Sequence, residues 1–396
     1  MKKVLFVINT LGGAGAERAL IQILKKFDPK EYEVSLYVLL DQGEMIYEIP
    51  EYVKVLNRNY SDTSVLSEEG KKELARNVWQ RIWKKGSGLR NAGYIIQQAS
   101  GMMRRRKFST DKLLWKVMSD SGQTMDTEYD LAVAYLEGGS TYFVHDHVKA
   151  RRKAAFVHVD YKLAGYSRSL DRNCYLDYDR IFTVSNEVRD SFVEVYPECA
   201  DRTDIFYNQI DQSEIRQKAE LSGGFSDAFD GFRILTVGRL TSQKAYEIAI
   251  DAMAKVKAHG IKARWYVLGE GELREELQQR IDKLGLTEDF LLCGAVKNPY
   301  PYYKQCDLYV HATRFEGKSI AIQEAQTLGC AILVSDCSGN REQVRDGIDG
   351  ELCDLNPESV SEHVIRLLGD EEQRNRYRKN AAEIIFQEED IVKLFQ

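Results

Sequence analysis

The chain has 396 residues, of which 43% are hydrophobic and 29% are charged, a composition typical of a soluble globular protein. This length exceeds what one ordinary hydrophobic core supports and predicts two domains. The net charge of −6 argues against a general affinity for nucleic acid. The seven cysteines are scattered without CxxC spacing, which argues against a disulfide framework and a zinc site and indicates a reducing, cytoplasmic compartment.

The apolar runs of the chain bear on membrane association. KKVLFVI at residues 2–8 is too short for the apolar region of a signal peptide and leads directly into a glycine-rich loop, so we interpret it as a first strand. No run approaches the ~18 apolar residues that a membrane-spanning helix needs. We therefore expect any membrane contact to be peripheral, at the inner face of the membrane.

Residues 4–27 predict a strand, a glycine-rich turn and a helix, the way nucleotide-binding folds begin. Gly12 and Gly13 would let a ligand approach the backbone, and the helix N-terminus would favour an anion. The loop does not fit GxxxxGK followed by Ser or Thr, and GxGxxG from Gly13 would need glycine where Arg18 stands. Asp41 follows the second predicted strand, where a dehydrogenase would hold a ribose. Nicotinamide binding therefore stays a weaker alternative, beside a plain strand-to-helix connection.

Residues 60–125 differ in composition from the rest of this acidic chain. Between residues 76 and 116 a single acid, Asp111, accompanies eleven basic residues: Arg76, Arg81, Lys84, Lys85, Arg90, Arg104, Arg105, Arg106, Lys107, Lys112 and Lys116. Trp79, Trp83 and Trp115 are interleaved with them. This pattern fits a segment lying on an anionic membrane or at a pyrophosphate-bearing lipid. It equally fits a solvated helical face whose tryptophans point into the core.

Polar residues follow two further predicted strands, at 131–135 and 153–159. Glu137 and Gly138 come after the first strand, and His158 and Asp160 lie at the end of the second. Ligands collect at the carboxyl ends of strands in open parallel sheets, so these residues are candidates to line a site. A structural role is the alternative for a lone histidine.

A polar, glycine-bearing segment at 208–232 predicts a boundary between domains. After it, strands predicted at 233–237, 263–268, 290–293, 308–311 and 331–335 alternate with helices, which indicates a second parallel sheet covered on both faces. Arg239 and Lys244 follow the first of these strands. Their positive charges at that edge would suit a diphosphate.

The stretch 314–336 places Glu316 and Glu324 eight positions apart, the first in a loop and the second in a helix predicted to begin near Ser319. The amides around Lys318, Ser319 and Ile320 are expected to lack helical partners and, with the helix dipole, to offer a seat for a phosphate. A solvated amphipathic helix is the alternative interpretation.

These motifs together resemble the family-4 retaining glycosyltransferases with the GT-B fold. The similarity is close through most of 233–370, and it is looser in the first half. The matching stretches are VGRLTSQK (237–244), YVLGEGELREELQ (266–278), GAVKNPYPYYKQCDLYVHAT (294–313), FEGKSIAIQEA (315–325), SGNREQVRDGIDG (338–350), GGAGAER (12–18), AYLEGG (134–139) and FVHVDY (156–161).

The resemblance implies an α/β chain with two Rossmann-like domains facing a central cleft. These are an acceptor-side domain at 1–210 with the basic, aromatic insertion, and a nucleotide-sugar domain at 211–396 whose last helix is a candidate to pack back on the first. Catalytic roles would fall to Glu316, Arg239, Lys244 and His158. Donor binding would involve Gly12, Gly13, Val296, Lys297, Gly317, Lys318, Ser319, Ile320 and Glu324. Glu137, Gly138 and Asp160 would lie on the acceptor side.

The resemblance further implies transfer of a sugar from a nucleoside diphosphate, expected to be UDP, to a saccharide or lipid-linked acceptor of surface polysaccharide or glycolipid synthesis. Asp177 and Asp179 match the DxD pattern of metal-dependent sugar transferases, but they precede the strand predicted at 180–184 and so lie at its amino end. We interpret them as a solvated turn and expect neither a metal nor another cofactor. A non-catalytic nucleotide-sugar sensor is a further alternative.

One residue and one three-residue run depart from the family pattern. Ala245 follows Lys244, where family members usually have Gly or Asn, and Gly317-Lys318-Ser319 replaces the usual Gly-Phe-Pro type of run. The second departure bears on the preferred sugar.

Overall fold

The computed structural model describes residues 1–65, 67–83, 86–104 and 110–396, which form two compact units. The first unit comprises Met1–Gln209 together with Gln387–Gln396, and the second comprises Ile210–Phe386. Each unit holds one parallel sheet with an apolar cluster on either face. The predicted fold class, α/β with two Rossmann-like domains, is confirmed.

The sheet of the first unit has the order β3-β2-β1-β4-β5-β6-β7 within the described residues. Successive side chains of β1 enter different clusters, Leu5 and Val7 on one face and Val4, Phe6 and Ile8 on the other, which is why this strand is a continuous apolar run. The strands are β1 Lys2–Ile8, β2 Tyr32–Val38, β3 Lys54–Val55, β4 Glu128–Ala134, β5 Lys149–Val157, β6 Arg180–Thr183 and β7 Thr203–Ile205.

The order reverses between β1 and β4, so the loops after these two strands meet at the edge where ligands bind in doubly wound sheets. Asn9 ties the two loops together. Its Oδ1 accepts the Ser140 N–H at 2.8 Å and its Nδ2 donates to the Glu137 carbonyl at 3.4 Å. The helices are α1 Gly15–Leu24, α2 Glu68–Trp83, α3 Ser87–Arg90, α4 Ala92–Arg104, α5 Thr110–Asp120, α6 Gly139–His147, α7 Arg168–Asp171 and α8 Asn186–Val195.

The basic segment 76–116 falls on α2 to α5 and fits neither interpretation in full. Trp79 and Trp83 are 58% and 61% exposed, so a face whose tryptophans all point into the core is wrong, although Trp115 does pack against the core. Arg81 and Lys116 are buried and ion-paired to acids of the same unit. They therefore add no positive charge to the surface. Residues 84, 85 and 105–109 of this segment lie outside the described residues.

The C-terminal segment Gln387–Gln396 completes the first unit. Ile391 and Leu394 are buried in the cluster beneath β1, and the Phe395 ring lies 5.4 Å from that of Tyr32. Lys26 donates to the Glu389 carbonyl at 3.2 Å and to the Gln209 side chain at 2.7 Å. The last helix before this segment, Glu371–Ala382, belongs to the second unit.

The sheet of the second unit has the order β10-β9-β8-β11-β12-β13 within the described residues, with its switch point between β8 and β11. Its strands are β8 Phe232–Val237, β9 Ala263–Leu268, β10 Phe290–Gly294, β11 Leu308–His311, β12 Ile332–Ser335 and β13 Glu351–Cys353. Its helices are α9 Gln212–Ala219, α10 Tyr246–Ala258, α11 Arg274–Lys283, α12 Tyr300–Gln305, α13 Ile320–Thr327, α14 Asn340–Gln343, α15 Pro357–Gly369 and α16 Glu371–Ala382. None of the helices within the described ranges is both long and apolar enough to cross a bilayer.

Candidate active site

The switch point of the second unit gathers the candidate residues with the strongest charges. Lys244 ends a short 3₁₀ turn after β8, and Glu316 lies in the loop between β11 and α13. Gly339 lets this loop approach the backbone after β12. Its φ is +81°, and a Cβ there would lie 2.4 Å from the Gly317 carbonyl oxygen, so any side chain would displace the loop.

Three side chains form a compact triangle at this edge. Lys244 Nζ lies 2.5 Å from Glu316 Oε1 and 3.2 Å from His311 Nε2, and His311 Nε2 lies 3.0 Å from the same Glu316 oxygen. His311 is the last residue of β11 and is buried, as is Glu316. The Tyr309 hydroxyl lies 3.0 Å from the other ring nitrogen, His311 Nδ1.

The charges in the triangle follow from burial and proximity. Burial alone would raise the pKa of Glu316, but the charge of Lys244 and the proximity of His311 outweigh it and hold that pKa below its usual range. Burial lowers the pKa of His311, the charge of Lys244 lowers it further, and Glu316 opposes both. The site therefore holds an ionised carboxylate and a neutral imidazole at neutral pH.

Arg239 lies five residues before Lys244 and has a different environment. Its side chain is exposed, and its guanidinium makes no hydrogen bond or ion pair with the residues the structure describes. A guanidinium held at the carboxyl edge of the sheet without a protein partner keeps all its donors for a ligand.

The N-terminus of α13 corrects one prediction. We expected the amides around Lys318, Ser319 and Ile320 to lack partners, but the Ser319 N–H donates to Gln343 Oε1 at 2.6 Å. The Gln343 side chain also donates to the Ser319 carbonyl at 2.9 Å. One side-chain amide therefore hydrogen-bonds both the N–H and the carbonyl oxygen of Ser319. A local pattern could not show this, because Gln343 comes from α14, 24 positions further along the chain.

Glu324 is held by two tyrosine hydroxyls from α12. Tyr300 donates to its Oε1 and Tyr303 to its Oε2, each at 3.2 Å, and Glu324 itself is buried in the second turn of α13. Sequence reasoning missed both tyrosines, although their i, i+3 spacing places them on one helix face. Val296 is half-buried and Lys297 exposed in the loop after β10.

In the first unit, His158 and Glu137 lie together at the carboxyl edge of the sheet. The His158 N–H donates to Glu137 Oε2 at 3.0 Å. His158 Nε2 is buried and has no hydrogen-bond partner among the described residues. Burial lowers the pKa of His158 to about 4, against the raising effect of a hydrogen bond to the Tyr135 backbone, so the ring is neutral at pH 7.

The remaining first-unit candidates have neighbours from their own unit. A Cβ on Gly12 would lie 2.6 Å from Val65, and one on Gly13 would lie 3.5 Å from Glu44. Gly138 has a φ of +82° and faces the Trp115 ring. Asp160 accepts hydrogen bonds from the Leu163 N–H at 2.9 Å, the Lys162 N–H at 3.1 Å and the Ser191 hydroxyl at 2.8 Å, so its Oδ1 organises a local turn.

The carboxylates of Asp177, Asp179 and Asp41 also have protein partners. Asp177 Oδ2 lies 2.8 Å from His145 Nε2, and Asp179 accepts the Lys153 N–H at 2.7 Å before β6 begins. Asp41, where a dehydrogenase would hold a ribose, is ion-paired to Arg81 and bonded to Asn57. No observation favours a nicotinamide site at this position.

Asp120, Asp146 and His147 lie close enough to one another for a cation. The Lys116 ammonium pairs with both carboxylates and already supplies positive charge there.

The chain is similar to known proteins in sequence and in fold. Residues 227–384 match the family described as glycosyl transferases group 1. The HepE protein of Anabaena, crystallised with UDP and glucose, superimposes with a TM-score of 0.64 at 17% identity over 96% of this chain and 94% of its own. The shared fold is that of the GT-B glycosyltransferases, as predicted.

Two Campylobacter jejuni proteins are similar in sequence. N-acetylgalactosamine-N,N'-diacetylbacillosaminyl-diphospho-undecaprenol 4-alpha-N-acetylgalactosaminyltransferase is 35% identical over 46% of this chain and 48% of its own length, so the chain matches about half of that relative. The alpha-1,4-N-acetyl-D-galactosaminyltransferase named for GalNAc-alpha-(1->4)-GalNAc-alpha-(1->3)-diNAcBac-PP-undecaprenol is 24% identical over 96% of this chain and 93% of its own length. Residues 227–384 thus match the group 1 glycosyltransferases, in agreement with the predicted resemblance.

Proposed function

We propose that this protein transfers a sugar from a UDP-linked donor to a saccharide or lipid-linked acceptor in surface polysaccharide or glycolipid synthesis, with retention of anomeric configuration. The observation that carries the proposal is the group of Arg239, Lys244, Glu316 and Glu324 at the switch point of the second unit. Both Campylobacter relatives are named for undecaprenol-linked saccharides, and the Anabaena structure contains UDP.

The residues of the second unit divide the work of donor binding. The exposed guanidinium of Arg239 and the ammonium of Lys244 would bind the diphosphate and stabilise the charge that develops as it leaves. Glu324, held by Tyr300 and Tyr303, would accept hydrogen bonds from the ribose hydroxyls. Val296 and Lys297 would contact the base through their backbone. From the first unit, Gly12, Gly13 and the neutral His158 would contact the donor and its sugar.

Glu316 would contact the donor sugar, and two retaining mechanisms are compatible with its position. A neighbouring nucleophile would require an ionised carboxylate, which the low pKa of Glu316 supplies. A same-face displacement, in which the leaving phosphate takes the acceptor proton, would need Glu316 only for orientation. The proposal covers both.

The proposal includes transfer without a metal ion. Two fixed cations beside the diphosphate would perform the electrostatic task that a divalent ion performs elsewhere. We expect turnover to persist in excess EDTA, and a loss that Mg²⁺ or Mn²⁺ restores would contradict this part of the proposal.

The decisive experiment removes the cations one at a time. Arg239→Ala and Lys244→Ala should each reduce transfer from a UDP-sugar by about 10²–10³-fold, the usual cost of one preorganised charge-stabilising group. Lys283→Ala removes an exposed lysine at the end of α11 and should leave turnover unchanged. The proposal fails if both site variants keep wild-type rates.

We also propose that α2 to α4 bring the enzyme to an anionic membrane at its inner face, where a lipid-linked acceptor would lie. Trp79, Trp83, Leu89, Ile96 and Met103 are large, exposed apolar side chains, and the neighbouring Arg76 and Arg90 are exposed as well. Exposed tryptophans beside basic residues suit the interface of an anionic bilayer.

Vesicle sedimentation tests the membrane contact. Wild-type protein should bind vesicles of phosphatidylglycerol and phosphatidylcholine more tightly than pure phosphatidylcholine, and Trp79→Ser with Trp83→Ser should reduce binding at least tenfold. Ile348→Ser removes an exposed apolar side chain of the second unit and should have no effect. Equal binding by all variants would contradict the contact.

A further inference from the structure

We propose that His311 is a positioning residue that releases Lys244 to the donor diphosphate, by changing the ring nitrogen that carries its proton. The inference rests on the proposed function and assigns a role to a buried residue that the steps above do not use. Its basis is the position of His311 Nε2, within 3.2 Å of both Lys244 Nζ and Glu316 Oε1.

Lys244 has two competing tasks. In this structure its ammonium pairs with Glu316 at 2.5 Å, whereas donor binding would require it at a phosphate. If Lys244 simply left, the buried Glu316 carboxylate would lose its charged partner, and an uncompensated buried charge is strongly destabilising. Without a substitute partner, Glu316 would hold Lys244 and oppose donor binding.

His311 can supply that partner because a neutral imidazole has one donor and one acceptor nitrogen. While Lys244 is in place, Nε2 accepts from the ammonium and Nδ1–H donates to the Tyr309 hydroxyl oxygen. Once Lys244 turns to the phosphate, Nε2–H donates to Glu316 Oε1 and the Tyr309 hydroxyl donates to Nδ1. Water takes the proton that leaves Nδ1 and supplies the proton that is bound at Nε2, so the ring is neutral in both states.

The surroundings of the ring support this exchange. Tyr309 can both accept and donate through its hydroxyl, so Nδ1 is satisfied in either state. Ser319 Oγ is a further polar neighbour, 3.5 Å from Nε2. Burial and the charge of Lys244 both lower the pKa of His311 and favour the neutral ring that the exchange needs. Phenylalanine at 311 would fill similar space but offer neither nitrogen.

The first test observes the proton directly. In full-length protein labelled with ¹⁵N-histidine, and with His311→Gln used to assign the signal, Nε2 should be unprotonated in the free protein and protonated at saturating UDP. Saturation is checked separately by calorimetry. UDP binding with an unchanged His311 tautomer would overturn this inference alone. Absence of UDP binding would overturn the proposed function and this inference with it.

The second test uses UDP affinity. His311→Phe should weaken UDP binding at least 30-fold because Glu316 then retains Lys244. His311→Gln, whose amide can donate or accept, should weaken it less than fivefold. Adding Glu316→Gln to His311→Phe should restore most of the affinity, since a neutral side chain no longer retains Lys244. A His311→Phe variant that binds UDP like wild type, or a double variant without recovery, would contradict the mechanism.

Discussion

Ala245 shows how one residue can carry strain at a functional edge. It follows Lys244 with φ 46° and ψ 37°, a left-handed conformation that L residues adopt at a cost of about 1–2 kcal/mol. This conformation explains why Gly or Asn suits the position in the resembling family. The methyl group of Ala245 is fully buried, so the strain is partly offset by packing.

We therefore expect Ala245→Gly to leave the free energy of unfolding unchanged or to raise it slightly. Ala254→Gly, in the interior of the same helix α10, should lower it by about 1 kcal/mol. Urea denaturation of both variants measures the difference. Equal destabilisation by the two changes would show that Ala245 is not strained.

Asp171 is a second residue with a measurable consequence. It is fully buried and accepts hydrogen bonds from Tyr142 at 2.7 Å and Tyr196 at 3.3 Å. Burial raises its pKa to about 7, although both tyrosines act in the opposite direction. An unfolded aspartate loses its proton near pH 4, so between about pH 4 and 7 the folded state binds more protons than the unfolded state.

Stability should therefore fall as pH rises through this window, and Asp171→Asn should remove that contribution. We expect the melting temperature of Asp171→Asn, relative to wild type, to increase from pH 4.5 to pH 8. Differential scanning calorimetry in matched buffers measures this difference in melting temperature. The subtraction removes the contribution of titrating groups that both proteins share. A difference that is constant with pH would contradict the raised pKa.

The tyrosines of α12 give a prediction about donor affinity. Tyr300→Phe and Tyr303→Phe each remove a hydrogen bond to the Glu324 carboxylate and should weaken UDP binding about 5- to 10-fold, corresponding to about 1 kcal/mol. Tyr302→Phe, on the same helix but packed against Phe225, is the matched control. Calorimetric titration with UDP measures the affinity of the three variants. Equal affinities would contradict the proposed contact between Glu324 and the ribose.

At the scale of elements, the fastening of α13 by Gln343 determines what the helix offers a phosphate. Replacing Gln343 by Glu would place a carboxylate where an anion should bind. We expect Gln343→Glu to weaken UDP binding about tenfold and Gln343→Ala to weaken it less. The difference in UDP affinity between the two variants should become smaller in high salt, because salt screens the added carboxylate. Calorimetric titration with UDP at two ionic strengths measures this difference. A difference in affinity that does not change with salt would indicate altered folding instead.

Sequence patterns predicted ten of the thirteen strands in the described part of the chain, their parallel arrangement and the edge at which charges collect, because apolar runs and strand ends are local features. The short strands β3, β7 and β13 were missed. The partners of those charges come from distant positions and were missed. His311 ends an apolar strand and resembles a core residue by sequence, yet it contacts Lys244 from 67 positions away. Arg81 and Lys116 belong to a basic segment by composition, and only the structure shows that they are buried in ion pairs.

At the scale of the whole molecule, the first unit depends on residues from both ends of the chain. Leu394→Ala should lower its free energy of unfolding by about 2–3 kcal/mol, because the side chain is buried beneath β1. Val392→Ala, on the same turn but 47% exposed, should cost far less. Chemical denaturation separates the two variants, and equal costs would mean that this segment adds little stability.

The return of Gln387–Gln396 makes the second unit an insertion within the first. The chain leaves the first unit after Gln209 and re-enters it at Gln387. The Gln209 side chain accepts the Glu389 N–H at 3.0 Å, which holds the two connecting segments together. The second unit, which we propose binds the donor, is thus one uninterrupted segment, Ile210–Phe386, that recombination could exchange as a single piece. Its two junctions, Gln209–Ile210 and Phe386–Gln387, lie next to the paired residues Gln209 and Glu389, so we expect exchange of this segment to leave the fold of the first unit intact.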